Sequence, residues 1–231
     1  SGASEGPHLH FEIRDSKTEF IINPLHFGFD AGIKDTKKPL FSALYVYPLL
    51  NSIVNKSQRP ILLNYSLQKD GSYLADKVMA NGPIGFGITA DDFDDVSFNK
   101  NGVYTVASFW NGQYHFGYQF DTYSFDDMRF VNALIDYSKY RKTKQRIQKL
   151  FMNSKYGLSF IRANEAKGQI VSVPNLDGLY RIEVADFFGN KTIVSVPVQY
   201  DSDILVEPLP LGYQTGILMH QPGHVANCIL S

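Results

Sequence analysis

Asn111-Gly112 separates two strand-length runs, Val103 to Trp110 and Gln113 to Phe120. Both central residues of a two-residue hairpin turn take positive φ. Asn-Gly meets that demand better than almost any other pair, so these runs are expected to form a β-hairpin. In the second run Tyr114, Phe116, Tyr118 and Phe120 share one face, and Gln113, His115, Gly117 and Gln119 share the other. The chain as a whole has the same character, with 17 Phe and 14 Tyr among its 231 residues. Aromatic side chains favour strands. A mainly β fold follows.

Strand signals recur at Leu158–Ala163, Gly168–Val173, Tyr180–Ala185 and Lys191–Val198, the last two flanking a turn at Phe187-Phe188-Gly189-Asn190. Short strands at this spacing suggest an immunoglobulin-like β-sandwich. Between Ser124 and Phe151 the period changes. Ser124 and Asp127 resemble a helix N-terminal box, and Phe130, Val131, Leu134 and Ile135 follow at helical spacing. A helical insertion over about 125–151 is expected, with a break near Tyr137–Tyr140. The reading is therefore four parts: residues 1–29, which hold His8, His10 and His26; a polar linker over 30–39; a β-sandwich body over 40–200; and a proline-bearing tail over 201–231.

Composition excludes several classes. Lys plus Arg is 22 and Asp plus Glu is 23, so the net charge of −1 lacks the basic excess of a nucleic-acid binder. At 44% hydrophobic the chain is too apolar to stay disordered. The one cysteine, Cys228, can form no internal disulfide and reads as a small incidental residue. No apolar run approaches the roughly 20 residues of a membrane span. A chain that opens Ser1-Gly2 without Met reads as a processed product, so the missing leader says nothing of its parent.

The chemistry most specific to this chain lies near its start. His8 and His10 are i and i+2 on an expected strand, side by side on one face about 6.6 Å apart. Two imidazoles so placed can serve one cleft, one as a metal ligand and one near a bound water. The same spacing also fits a half-exposed strand face of no chemical role.

The block Gly6-Pro7-His8-Leu9-His10-Phe11-Glu12-Ile13-Arg14, followed by Asn23-Pro24-Leu25, resembles the C-terminal signature of lysostaphin-type (LytM-like) zinc endopeptidases. Those enzymes cut peptide cross-bridges of bacterial peptidoglycan. The resemblance implies that His10 is a zinc ligand, and that His8 assists the attacking water and the tetrahedral intermediate. Zinc would supply Lewis acidity and bring the pKa of its water towards about 7. It implies a cell-envelope location, periplasmic or surface, and peptidoglycan peptides as partners. The family's other ligands, in a His-x-x-x-Asp motif, lie upstream of the His-x-His strand, whereas seven residues precede His8 here. His26 and Asp30 have that spacing but follow the strand, so they are not that motif and are expected near the linker. On this reading residues 1–29 are the last strands of a LytM-like domain carrying half an active site. The chain alone is expected to be inactive, holding zinc weakly or not at all. Its orphaned strand is then disordered, docked on the sandwich or paired with another chain.

The order Phe27-Gly28-Phe29-Asp30, Tyr45-Val46-Tyr47-Pro48, Ile84-Gly85-Phe86-Gly87-Ile88, Gly102-Val103-Tyr104 and Ser124-Phe125-Asp126 is similar to the long C-terminal region attached to such peptidases in Bacteroidetes-like bacteria. The segment from Gly178 to Asn190 resembles the end of an immunoglobulin-like domain. That resemblance implies a spacer or binding module, and a non-catalytic envelope module is the alternative to the peptidase reading.

Three further features each carry two readings. The basic run Lys139, Arg141, Lys142, Lys144, Arg146 and Lys149 fits a patch for an anionic glycan or lipid headgroup, or a solvated helix face. It has no interleaved aromatic platform for nucleic acid. Asp91, Asp92, Asp94 and Asp95 form an acidic loop that could ligate calcium or be a surface turn, and they lack the EF-hand pattern. His220 and His224 have a helical metal spacing, but Pro222-Gly223 between them argues for a loop.

Overall fold

Asn111 and Gly112 both take positive φ, 48° and 82°. The hairpin they close joins Thr105–Trp110 to Gln113–Gln119. The computed structural model containing it describes residues 11–96, 99–152 and 157–203. The protein is mainly β and sandwich-like, with a curled sheet and, among the described residues, one α-helix. Its hydrogen-bonded path runs through Ile161–Ala163, Gln113–Gln119, Thr105–Trp110, Gly178–Ala185, Lys191–Tyr200, Val78–Asp91, Leu40–Pro48 and Ile61–Leu63. Among the described residues no helix is long and apolar enough to cross a membrane.

The strand Val78–Asp91 holds the two layers together. Residues Val78 to Ala80 pair in parallel with Val198 to Tyr200 in one layer. After Gly82, whose φ is 92°, the same strand pairs antiparallel with Leu40–Pro48 in the other. Between the layers Phe86 stacks on Tyr180 at 4.3 Å, and both rings are fully buried. Leu44, Val46, Ile84 and Ile88 from one side meet Val106, Ile182, Val194 and Val196 from the other.

Residues Ile84 to Ile88 are all buried, so this strand is covered on both faces. The outer cover comes from Ile147 and Phe151, which pack with Ala43, Tyr45, Tyr47 and Leu49 in a second apolar cluster. Glycine makes that possible. A Cβ at Gly85 would stand 2.3 Å from the Phe151 ring, and one at Gly87 would stand 2.9 Å from Ile147 and Tyr47 side chains.

Two expectations are corrected. The helix over 125–151 is instead a pair of 3-10 turns, Phe125–Arg129 and Val131–Ala133, then an α-helix Tyr137–Thr143 and a short strand Gln148–Lys149. The cap at Ser124 and Asp127 does form. Tertiary pairing then overrides the helical period: Leu134 O accepts from Lys149 N at 2.7 Å, and Asp136 N donates to Ile147 O at 2.9 Å. The α-helix falls where a break was expected, because Asp136 accepts from Lys139 N and starts it there. The second correction concerns His115. A bulge between Tyr114 and Phe116 turns His115 inward, where it is buried, while Tyr114 is exposed. Burial keeps the His115 imidazole below its usual pKa, and Asn164 Nδ2 lies 2.8 Å from its Nδ1.

Gly85→Ala is expected to destabilise the fold by about 1–3 kcal/mol through overpacking. In a Phe151→Ala background that cost should fall by about half or more, as measured by urea denaturation in a double-mutant cycle.

Candidate functional site

His8, His10, His220, His224 and Cys228 lie outside the described residues. The described remainder of the amino-terminal block, residues 11–29, is docked on the body. Ile13–Arg14 pairs with Ile21–Ile22, which pairs in turn with Thr122–Tyr123. Asn23 secures the junction: its N–H donates to Asp121 O at 2.8 Å and its Nδ2 to Phe120 O at 3.2 Å. Its Oδ1 caps the following 3-10 turn by accepting from Leu25 N. His26 faces the body, with Nε2 at 2.7 Å from Asp121 Oδ1 and its ring edge-on to both Tyr104 and Phe187, which also pack on each other. Partial burial pushes the Asp121 carboxyl up, but hydrogen bonds from Tyr104, His26 and Gln119 outweigh it and hold the group below the usual range.

The acidic loop divides by function. Asp91 pairs with Lys100 at 2.9 Å. Asp95 accepts from Thr36 through both carboxylate oxygens, and Asp94 O accepts from Lys37 Nζ at 2.6 Å. These two residues hold down the linker. Asp92 alone turns inward, with its backbone bridged to Asn101.

There Asp92 meets Asp35 from the linker and Asp186 from the turn after Gly178–Ala185. One carboxylate oxygen from each lies within 4.8 Å of the others, and Asp92 and Asp186 are buried. Asp186 is oriented by Asn190, whose N and Nδ2 donate to its two oxygens at 2.8 and 2.7 Å. The same Nδ2 donates to Asp35 O at 3.1 Å, so Asn190 fixes two of the three residues. Asp35 accepts from Lys37 N. Asp92 Oδ1 is buried with no hydrogen-bond partner among the described residues. None of the three carboxylates is ion-paired among those residues. Asp35 and Asp92 also line a cavity of about 450 Å³ with Tyr104, Phe120 and Phe187.

Burial, and then the Asp186 and Asp35 charges, push the Asp92 pKa up to about 6. Burial also raises that of Asp35. An isolated buried carboxylate cluster is costly unless protonated or matched by a cation. Only oxygen donors are present, which suits hard cations and not the nitrogen and sulfur preferences of zinc.

The basic run is also split. Lys139 places Nζ 3.7 Å above the Tyr45 ring, and Lys149 lies over Phe151. Arg141, Lys142, Lys144 and Arg146 are exposed.

Asp92 was visible in the sequence as one of four acids. Asp35 and Asp186 carry no local mark in the sequence, because only the fold brings them together. The turn at Phe187–Asn190 was the available signal, since Asp-to-Asn side-chain bonding is a common way to close such a loop. Comparison with protein families, with curated proteins and with solved structures finds no match to this chain.

Asp92 has a raised native pKa, so between about 4 and 6 the folded protein binds a proton that the unfolded chain does not. Its carboxylate therefore costs stability as pH rises through that window. In chelator-treated protein Asp92→Asn is expected to be more stable than wild type by about 2 kcal/mol at pH 7.5. The gap should close by about pH 4 in denaturation curves.

Proposed function

We propose that this chain is the C-terminal part of a LytM-like zinc metalloendopeptidase of the bacterial envelope, which hydrolyses peptidoglycan cross-bridge peptides. The observation that carries this reading is the block from Gly6 to Arg14 with Asn23-Pro24-Leu25 following at the family's distance. His8 would assist the attacking water and His10 would bind zinc. The β body would act as a platform for the peptidase's last strands. The junction is consistent with that role, because Asn23 both caps its own turn and bonds to Phe120 and Asp121.

The described residues do not fit a zinc site by themselves. His10 supplies one donor, a zinc site takes three or four, and the ligand-capable cluster among the described residues is all carboxylate. On this reading the remaining ligands belong to residues outside these 231, and no catalytic step is assigned to this chain alone.

A second reading, a non-catalytic envelope binding module, is favoured by the aromatic side chains of the docked arm. Phe11, Phe27 and Phe29 are 59%, 54% and 53% exposed, and the Phe11 and Phe29 rings lie 5.1 Å apart. Exposed rings grouped in this way are a common binding surface.

Purified chain is expected to hold less than one zinc and to release no fragments from cross-bridged peptidoglycan. A longer product of the same gene should carry an upstream His-x-x-x-Asp, bind zinc and cleave, and should lose both properties with His10→Ala. Tight zinc and turnover in the present chain, or an upstream sequence without the motif, would overturn the proposal. Retention of either product on insoluble peptidoglycan without any hydrolysis would favour the binding module.

A further inference from the structure

Three stretches far apart in the sequence each deliver one aspartate to the same point. Asp35 comes from the linker, Asp92 directly follows the strand Val78–Asp91, and Asp186 directly follows Gly178–Ala185. One oxygen of each carboxylate lies within 4.8 Å of the others, and none of the three is ion-paired among the described residues. An acidic cluster alone is unremarkable on a protein surface. This one differs because Asp92 is only 8% exposed and its Oδ1 has no partner among the described residues. The Asp92 side chain brings one oxygen within 4.8 Å of the other two carboxylates and leaves its buried Oδ1 without a donor among those residues, which is a missing ligand in hydrogen-bonding terms.

The chemistry selects the ligand. Asn190 occupies one direction at each Asp186 oxygen, and no basic side chain pairs with that carboxylate among the described residues. Each of these oxygens retains acceptor capacity, as carboxylates can accept about four contacts. The shared donors are all hard oxygens. Calcium accepts six to eight such ligands in irregular geometry and completes its shell with carbonyls and water. Magnesium demands a near-ideal octahedron, and zinc favours nitrogen and sulfur.

We propose that Asp35, Asp92 and Asp186 bind one calcium ion, which locks the linker onto the β body. The linker is already fixed on one side by Asp95 to Thr36 and by Lys37 to Asp94 O. The ion joins its other side to both layers of the sandwich. Calcium thereby sets how firmly residues 11–29 and the body act as one unit. This assignment stands whether or not the peptidase reading does.

Calcium chloride is titrated calorimetrically into the full chain after chelator treatment, with thermal unfolding followed in parallel. One ion per chain is expected, with a melting temperature raised by several degrees. Hydrogen exchange at Thr36 and Lys37 should slow on binding. Asp92→Asn preserves shape and removes a repulsion, so it should fold, and it should weaken calcium binding at least about tenfold. Asp35→Asn, on the linker, should do the same without disturbing the core. No heat and no thermal shift up to about 10 mM calcium, above the range of weak extracellular calcium modules, would overturn the site. Wild-type affinity in both variants would also overturn it, by placing the ion elsewhere, and tighter binding of magnesium would overturn the choice of ion.

Discussion

The strand Val78–Asp91 is buried on both faces over its central residues, and the remaining architecture follows from that. One face presents Ile84, Phe86 and Ile88 to the core between the layers, with Phe86 stacked on Tyr180. The other is bare backbone at Gly85 and Gly87, and it receives Phe151 and Ile147. Side chains larger than hydrogen at those two positions would push the 147–151 segment off the sheet. The helix Tyr137–Thr143 is held there as well, because Tyr47 donates to Asp136, the residue that caps it. A two-turn helix has little stability of its own and depends on such packing.

The amino-terminal arm and the linker belong to this framework through polar contacts, in contrast to the apolar core. Asp121 gathers Tyr104, Gln119 and His26, and the backbone of Asn23 bonds to its carbonyl. Asp94 and Asp95 grip residues 36 and 37. Contacts of this kind are individually worth only about 1 kcal/mol and respond to pH and ions more than apolar burial does. The arm and linker are therefore the parts of the molecule whose attachment the environment can adjust.

Much of the β framework was legible because period-two alternation and Asn111-Gly112 are local signals. The strands at Gly178–Ala185 and Lys191–Tyr200 lie within two residues of where their patterns predict them. The long helix does not form because Phe130, Val131, Leu134 and Ile135 have helical spacing but long-range pairing wins: Leu134 O accepts from Lys149 N, and Asp136 N donates to Ile147 O. His115 was assigned to the wrong face because one bulged residue inverts the alternation, and nothing in its neighbours announces it. The motif from Ile84 to Ile88 was noticed by resemblance, while its physical reason, two glycines beneath an aromatic ring, needed the fold. The acidic site was one-third legible. Asp92 stood in an acidic run, whereas Asp35 and Asp186 acquire meaning only when three separate segments converge.

The parallel pairing of Val78–Ala80 with Val198–Tyr200 has a bearing on how the chain is made. A polypeptide emerging from the ribosome completes Val78–Asp91 long before its parallel neighbour exists. Until Lys191–Tyr200 emerges, the spine carries an open flank of backbone donors and acceptors beside apolar side chains. Such a flank invites other nascent chains. Closure must then span most of the body's length in one non-local step, which is slow. Biosynthesis of this protein is thus most exposed to misassembly in the interval before its last described strand arrives.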